Sequence, residues 1–282
     1  MNSLPLADPP IVDAHAHIFR RDMPLGEGAW LQPDYGFTAE QYLQTLDKHG
    51  VHFGVIAGIS IYGDYNDYMI EQLRIHKRLR GTVNIPPTTH RYVLDRMNAD
   101  GIVGVRLQLT RRKELPDLAD ADYRLLLRRI ADLNWHVHVV VEGQHWPPLL
   151  KKLEASGVKI VIDHFGHPDP AQGINCPGFQ AVLRSVEKGR TWVKLSAGFR
   201  LTWSEPGRKE VDPRADELAR QAAKQLVQHA GAERLVWGSD CPFVGYEAAV
   251  TYQDTLDRFA QWVPDPATRR AMSATALKLY FS

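Results

Sequence analysis

Two histidines one residue apart, His15 and His17, end an apolar run that begins at Ile11. In a β-strand, side chains two residues apart point to the same face, so these imidazoles are expected to project together near the end of a strand. Such a pair can bind a metal ion, or it can hold and polarise an oxygen atom of a substrate. A tolerated surface pair would have the same spacing, so the rest of the chain must decide between these alternatives.

Polar and ionisable residues also interrupt or end several later apolar runs. Arg106 interrupts the run Ile102–Leu109. The others are Gln108, Glu142, Asp163, His164, His167, Lys194, Ser196, Arg200, Ser239 and Asp240. Burial of an ionisable side chain is costly unless the side chain is paired, so its recurrence at the ends of apolar runs predicts one shared polar site. Histidines and acids in such a site favour catalysis.

Eight apolar, β-branched runs alternate with amphipathic segments along the chain. The predicted strands are Ile11–Ile18, Phe53–Ile59, Arg80–Ile85, Ile102–Leu109, His136–Glu142, Lys159–Phe165, Thr191–Ala197 and Leu235–Asp240. The segments between them have helical spacing, and Thr38–His49 opens with the Thr-x-x-Gln spacing of a capping box. This alternation over 282 residues predicts an α/β fold, a single (β/α)8 TIM barrel over residues 1–282. A doubly wound open sheet is the alternative, but no Gly-x-Gly-x-x-Gly follows the first strand.

The bulk composition excludes several classes of protein. The formal net charge is +1, so no overall charge attracts nucleic acid or an anionic membrane. No apolar run reaches membrane-spanning length, and the first residues lack the basic and apolar regions of a signal peptide. Cys176 and Cys241 have no CxxC spacing, so neither a zinc knuckle nor a disulfide framework is indicated. We therefore expect a cytoplasmic protein with a small-molecule substrate and no nucleic-acid or membrane partner.

The barrel prediction also assigns positions away from the site. In barrel enzymes the active site lies at the C-terminal ends of the strands. His136 and His138 stand at the start of the fifth predicted strand, so we expect them away from the active end. Asp13 and Asp163 neighbour the site histidines, but strand alternation points them to the other face, where structural hydrogen bonds are expected.

Three segments resemble the signatures of the amidohydrolase superfamily. They are Asp13-Ala14-His15-Ala16-His17, Ile162-Asp163-His164-Phe165-Gly166 and Trp237-Gly238-Ser239-Asp240-Cys241-Pro242. More narrowly, they resemble the amidohydrolase-2 branch, and most closely its 2-pyrone-4,6-dicarboxylate lactonases and the related sugar lactonases. The likeness covers nearly the whole chain in the same order. It implies a distorted (β/α)8 barrel and hydrolysis of a carboxylated lactone.

The resemblance also implies the roles of individual residues. Asp240 would be the general base that activates a water. His15, His17 and His164 would donate hydrogen bonds to the lactone carbonyl as negative charge develops on it. The residues implied to contact substrate are Arg106, Arg112, Arg200, Ser60 and His167. Arginine suits this task because its planar fork makes bidentate contacts with carboxylates.

Two positions depart from the pattern of the pyrone lactonases. Val140 stands where a tyrosine is expected on strand five, and His167 stands where an arginine is expected after strand six. Both positions would touch substrate. The exact lactone therefore stays open, and a sugar-acid lactonase is the alternative within the hydrolases.

A metal cofactor is a further open point, because many members of the superfamily hold divalent metals. His15, His17, His164 and Asp240 could together form a tetrahedral zinc set. The resemblance to the pyrone lactonases implies instead that no metal cofactor is used. A metal-dependent decarboxylase of the same branch is a rival, which the lack of a histidine at the end of strand five argues against. A barrel that only binds a ligand is another, but a binder would need no general base.

Overall fold

The structure, a computed structural model, describes residues 8–202 and 210–282. The strands are β1 (Val12–Ala16), β2 (Phe53–Ala57), β3 (Leu79–Val83), β4 (Ile102–Gln108), β5 (His136–Val140), β6 (Lys159–Ile162), β7 (Thr191–Ser196) and β8 (Leu235–Gly238). Each strand pairs in parallel with the next, in the order β1 to β8. At the last seam the His17 N–H donates to the Cys241 carbonyl at 2.7 Å, and the Asp240 N–H donates to the His15 carbonyl at 2.8 Å. The predicted (β/α)8 barrel is thereby confirmed.

Helices follow the strands and cover the outside of the sheet. They are α1 (Ala39–Lys48), α2 (Asp67–Ile75), α3 (Arg91–Ala99), α4 (Ala121–Asp132), α5 (Trp146–Ala155), α6 (Pro177–Glu187), α7 (Pro213–Ala230), α8 (Tyr252–Trp262) and α9 (Pro266–Tyr280). The capping box of α1 forms as predicted, because the Thr38 hydroxyl accepts from the Gln41 N–H and the Gln41 side chain accepts from the Thr38 N–H. Among the described residues, none of the helices combines the length and the apolar character needed to cross a membrane.

The N-terminal end of the barrel interior is apolar. Val12, Val55 and Val236 of the strands pack there against Tyr280 of α9. His136 belongs to this region, because its ring lies 5.3 Å from the Tyr280 ring, centroid to centroid. The prediction that His136 lies away from the active end is confirmed.

Strand β6 ends earlier than the sequence predicts, and this change shapes the site. The strand stops at Ile162, and His164, Phe165 and His167 adopt positive φ angles of 50°, 58° and 44°. Asp240, just past β8, also has a positive φ of 66°. Left-handed backbone at a non-glycine residue costs about 1–3 kcal/mol and tends to occur at functional sites. The alternation of side chains therefore stops at the end of β6.

Candidate active site

Four predicted catalytic side chains meet at the C-terminal end of the barrel. Oδ1 of Asp240 lies 3.4 Å from Nε2 of His15, 3.5 Å from Nε2 of His17 and 3.9 Å from Nε2 of His164. The two strand β1 histidines approach each other with their Nε2 atoms 3.4 Å apart. All four side chains are buried. The register between β1 and β2 shifts between Asp13 and Ala16, and irregularities of this kind are common next to active sites.

The hydrogen bond on the far side of each ring limits what its Nε2 can do. Nδ1 of His17 lies 2.8 Å from the Ala57 carbonyl, which can only accept, so Nδ1 carries a proton. In the tautomer with its proton on Nδ1, Nε2 of His17 is an acceptor. This differs from the donor role that the resemblance implies for it. Nδ1 of His164 lies 2.8 Å from the Ser196 hydroxyl, which can either donate or accept.

Asp240 is paired with an arginine. Nε of Arg200 donates to Oδ2 of Asp240 at 2.6 Å, and Nη2 of Arg200 donates to the Val244 carbonyl at 3.0 Å. Burial raises the pKa of the Asp240 carboxyl, but the Arg200 guanidinium and the three neighbouring imidazoles together hold this pKa well below its usual range. Asp240 is therefore a carboxylate with one oxygen on Arg200 and the other toward the imidazoles.

Asp163 lies at the centre of a second buried cluster. Its Oδ2 accepts from Nη2 of Arg106 at 3.0 Å. Its Oδ1 lies 3.1 Å from Nδ1 of His15, 3.7 Å from Nζ of Lys194 and in close contact with Nε2 of His138. Burial raises the pKa of the Asp163 carboxyl, but the surrounding imidazoles and cations lower it well below its usual range.

The predictions that Asp163 points to the other face and that His138 lies away from the active end are wrong. Asp163 faces inward with Val161, which pairs with His138, and the left-handed turn at His164 brings the next side chain into the barrel as well. His138 lies beside Arg106 in the β4–β5 register, so both point inward together. Arg106 and Gln108 are two residues apart and share one face of β4. The neighbouring positions on β5 share that face, so the two-residue spacing could have indicated that His138 points inward.

Asp13, by contrast, has the structural role that the sequence predicts. Its Oδ1 accepts from the Ser239 backbone N–H at 2.8 Å, and its Oδ2 accepts from the Ser239 hydroxyl at 2.6 Å and the Tyr252 hydroxyl at 3.0 Å. These bonds tie β1 to the loop after β8 and to α8. They fix the loop that carries Asp240.

Buried imidazoles in the barrel are held neutral. Burial lowers the pKa of three rings to about 3, those of His15, His136 and His164. Burial also lowers the pKa of Lys194, to about 8, while Asp163 beside it acts in the opposite direction. At neutral pH the centre therefore combines neutral imidazoles with carboxylates and cations.

A cavity lined by His17, His164 and Asp240 opens above the cluster around Asp240. Of the predicted substrate contacts, Arg106, Arg200, Ser60 and His167 line this cavity. The Ser60 hydroxyl accepts from Nε1 of Trp30 at 3.2 Å. Sequence reasoning did not assign Trp30 to the site, because its loop carries no strand or helix pattern.

Arg112 lies outside the cavity lining, whereas its neighbour Arg111 is part of that lining. Nε of Arg112 donates to the Gln108 carbonyl at 3.0 Å on the exposed side of the loop. Arg111 has a positive φ of 62°, and its guanidinium stacks 4.1 Å from the centroid of the Trp30 ring. The left-handed turn at Arg111 thus exchanges the two arginines relative to the sequence-based assignment.

The side chains around Asp240 also fit a divalent metal ion. His15, His17 and Asp240 offer ligand atoms that lie close enough together to hold one ion, and imidazole nitrogen with carboxylate oxygen is a donor set that zinc accepts. His15, His138 and Asp163 form a second such group, but Nζ of Lys194 lies 3.1 Å from His138 and 3.3 Å from His15 beside it. Strand β5 does supply a histidine to the interior, which weakens the sequence argument against a metal-dependent decarboxylase.

Comparisons with known proteins agree with this geometry. The family model described as Amidohydrolase matches residues 12–281. The 4-sulfomuconolactone hydrolase of Hydrogenophaga intermedia is 26% identical over 238 residues, which cover 83% of this chain and 75% of that protein.

Two similar solved structures are named as 2-pyrone-4,6-dicarboxylic acid hydrolases. The structure from Pseudomonas putida is 35% identical, has a TM-score of 0.87, and covers 96% of this chain and 97% of its own. The structure from Acinetobacter baumannii, which holds citric acid, is 31% identical, has a TM-score of 0.89, and covers 96% of this chain and 98% of its own.

Proposed function

The chain belongs to the amidohydrolase family, and we propose that within this family it is a hydrolase that opens a carboxylated lactone, with 2-pyrone-4,6-dicarboxylate or a close analogue as substrate. The observation that carries the proposal is the meeting of an ionised Asp240 with three imidazoles beneath an arginine-lined cavity. Relatives named for pyrone and muconolactone hydrolysis support the same class of substrate.

In the proposed reaction, Asp240 is the general base. Its Oδ1 accepts one proton from a water molecule while the water oxygen bonds to the lactone carbonyl carbon. Nε2 of His17, 3.5 Å from Oδ1, is a second acceptor for the same water. The ring C–O bond then breaks, and the proton held by Asp240 passes to the departing ring oxygen. The product is the ring-opened acid, and Asp240 ends as a carboxylate again.

Negative charge develops on the carbonyl oxygen in the transition state, so donors must face it. His15 and His164 supply these donors when their ring protons lie on Nε2. Loss of one such donor typically costs about a hundredfold to a thousandfold in rate.

The arginines differ in how they can bind the acid groups of the substrate. Arg106 is already paired with Asp163 and also donates to the Gly58 carbonyl at 2.6 Å. Arg200 is paired with Asp240. Arg111, stacked on Trp30 at the rim, lines the cavity from the loop after β4. We assign Arg111, rather than Arg112, to an outer acid group of the lactone.

The proposed reaction needs no resident metal. If a divalent ion binds, His15, His17, His164 and Asp240 would hold it, and it would polarise the carbonyl. Two cations oppose such binding, because Arg200 lies 2.6 Å from Oδ2 of Asp240 and Lys194 lies 3.3 Å from Nδ1 of His15. Every step above uses only side chains of the chain.

The test is hydrolysis of 2-pyrone-4,6-dicarboxylate by purified protein, followed by the loss of pyrone absorbance, before and after chelation and dialysis. We expect turnover that survives removal of metal. Turnover that is lost on chelation and restored by zinc would refute the metal-free reaction but keep the lactonase. Failure to cleave the pyrone, with cleavage of a sugar-acid lactone instead, would show that Val140 and His167 accompany a different substrate.

A further inference from the structure

We propose that Lys194 and Ser196 of β7 are positioning residues that set the ring protons of His15 and His164. Each donates a hydrogen bond to Nδ1 of one histidine, so that the proton of that ring lies on Nε2 and faces the lactone carbonyl. This inference deepens the proposed function and rests on it for the reaction. The tautomers themselves can be observed in the resting protein without any substrate.

The two residues stand two apart on β7 and therefore share its inward face. Nζ of Lys194 lies 3.3 Å from Nδ1 of His15, and Oγ of Ser196 lies 2.8 Å from Nδ1 of His164. Both side chains are fully buried. One strand thus lies behind two of the histidines that flank Asp240.

Lys194 must find acceptors inside the barrel. A buried ammonium group has three N–H donors and no acceptor, and leaving it without hydrogen bonds is costly. Within 8–202 and 210–282, the hydrogen-bond partners of Nζ are Nδ1 of His15 at 3.3 Å and Nε2 of His138 at 3.1 Å. Oδ1 of Asp163, at 3.7 Å, is beyond hydrogen-bond distance. At least one of the two imidazole nitrogens must therefore be unprotonated.

The contact between His138 and Asp163 decides which nitrogen this is. Nε2 of His138 and Oδ1 of Asp163 are the closest pair in the cluster, so a proton must lie between them, because two bare acceptors would repel. His138 then donates from Nε2, and its Nδ1 can accept from the Thr82 hydroxyl at 3.1 Å. The acceptor left for Lys194 is Nδ1 of His15. Oδ1 of Asp163 lies 3.1 Å from the same nitrogen, and the ammonium group, 3.3 Å from Nδ1 and 3.7 Å from Oδ1, offsets the repulsion between these two acceptors.

A contact on the other side of His15 leads independently to the same tautomer. Nδ1 of His17 donates to the Ala57 carbonyl, and in this tautomer Nε2 of His17 is an acceptor. Nε2 of His15 lies 3.4 Å from that atom and 3.4 Å from Oδ1 of Asp240. Both neighbours are acceptors, so the proton of His15 is favoured on Nε2. The opposite tautomer, with Nδ1–H on Asp163, would turn a lone pair toward Asp240 and would suit a metal ion.

The buried ammonium group of Lys194 therefore determines whether His15 donates a hydrogen bond to substrate or offers a lone pair to a metal ion. With Lys194 donating to it, His15 is a hydrogen-bond donor for a carbonyl oxygen. Without Lys194, Asp163 can accept from Nδ1 of His15, and the ring then presents a metal-binding lone pair to the site. Nε2 of His164 faces Oδ1 of Asp240 at 3.9 Å, which favours a proton on Nε2, and Nδ1 of His164 is then the acceptor for the Ser196 hydroxyl.

The test uses the whole chain with ¹⁵N-labelled histidine. The His15 signals are identified by their loss in His15→Gln. In the wild-type protein at neutral pH we expect His15 with a bare Nδ1 and a protonated Nε2. In Lys194→Met the proton should move to Nδ1, whereas Lys194→Gln keeps one donor and should keep the wild-type tautomer. A wild-type His15 with a protonated Nδ1 would overturn the proposal, whatever lactone the protein cleaves.

Kinetics and zinc retention give the second readout. In Lys194→Met we expect kcat to fall about a hundredfold or more, while KM changes less than about threefold, because a transition-state donor is lost and the arginines remain. Zinc retained after dialysis should rise in the same variant. Lys151→Met, an exposed lysine on α5, is the control and should match the wild type. An unchanged kcat in a folded Lys194→Met protein would contradict the proposal. If the Met variant does not fold, a folded Lys194→Gln protein whose His15 proton lies on Nδ1 would contradict it, because the glutamine keeps one donor.

Discussion

Replacement of Asp240 by asparagine separates its chemistry from its structural pairing. The asparagine side chain has nearly the same shape, and its oxygen can still accept the hydrogen bond that Arg200 donates to Asp240 at 2.6 Å. It cannot take a proton from water. We therefore expect Asp240→Asn to fold and to bind substrate, but to lose the step in which the water attacks.

The expected magnitude follows from the role of a positioned base. Such a base contributes about 10²–10⁴-fold to the rate, which is about 3 to 5 kcal/mol of transition-state stabilisation. Breaking a buried ion pair outright costs about 3–5 kcal/mol of folding stability, but the retained hydrogen bond to Arg200 makes the loss here smaller. The fall in kcat should thus far exceed any change explained by partial unfolding.

The assay compares kcat, KM and the urea midpoint of Asp240→Asn with those of the wild type and of Asp169→Asn. Asp169 is a suitable control because its carboxylate only caps the turn after β6, where it accepts from the Ala171 N–H and the Gln172 side chain. We expect wild-type kinetics from the control. If Asp240→Asn retains more than about a tenth of the wild-type kcat, the assignment of the general base is refuted.

Three further results follow from the site. Arg111→Met should raise KM for a dicarboxylated lactone about tenfold or more, while the matched Arg112→Met should leave it nearly unchanged, and equal effects would contradict the assignment. Arg106→Met should lower the urea midpoint of unfolding, because it leaves the buried Asp163 without the arginine that donates to it at 3.0 Å. An unchanged midpoint would contradict a stabilising role of this pair. His15, His136 and His164 have a pKa of about 3 in the folded protein, against an ordinary 6.5, so the folded state binds protons more weakly than the unfolded state. The free energy of unfolding should therefore fall as pH drops below about 6.5, by about 1.4 kcal/mol per pH unit for each ring. Urea unfolding at about pH 7 and about pH 5 checks this, and equal free energies of unfolding would refute it.

The sequence predicted the barrel and the meeting of the proposed catalytic residues because both follow from periodicity. The apolar runs mark the strands, and the rule that parallel strands end at one rim brings His15, His17 and Asp240 together. The positions that the sequence did not predict are those where the backbone leaves the regular geometry. The left-handed turn at His164 lets the adjacent side chains of Asp163 and His164 both face the interior, so alternation counted back from His164 gave Asp163 the wrong direction. A periodic pattern contains no information about such a turn.

The same limit applies to the rim of the cavity. The positive φ of Arg111 exchanges it with Arg112, and residue type alone does not distinguish two adjacent arginines. Trp30 reaches the cavity from a long loop whose path depends on tertiary contacts, such as its hydrogen bond to Ser60. The role of His138 was predictable in principle, because the β4–β5 register places it beside Arg106.

The charges of the centre give an independent reason to expect an anionic substrate. Around the two carboxylates Asp163 and Asp240 lie three cations, Arg106, Lys194 and Arg200, and the imidazoles of His15 and His164 beside them are neutral. An uncompensated positive charge in a buried site is costly, and it attracts an anion from solvent. A lactone that carries a carboxylate or another acid group supplies the missing negative charge, while a neutral lactone does not. The neutral analogue should therefore bind more weakly, and added salt should weaken binding of the acid lactone more than binding of the neutral one.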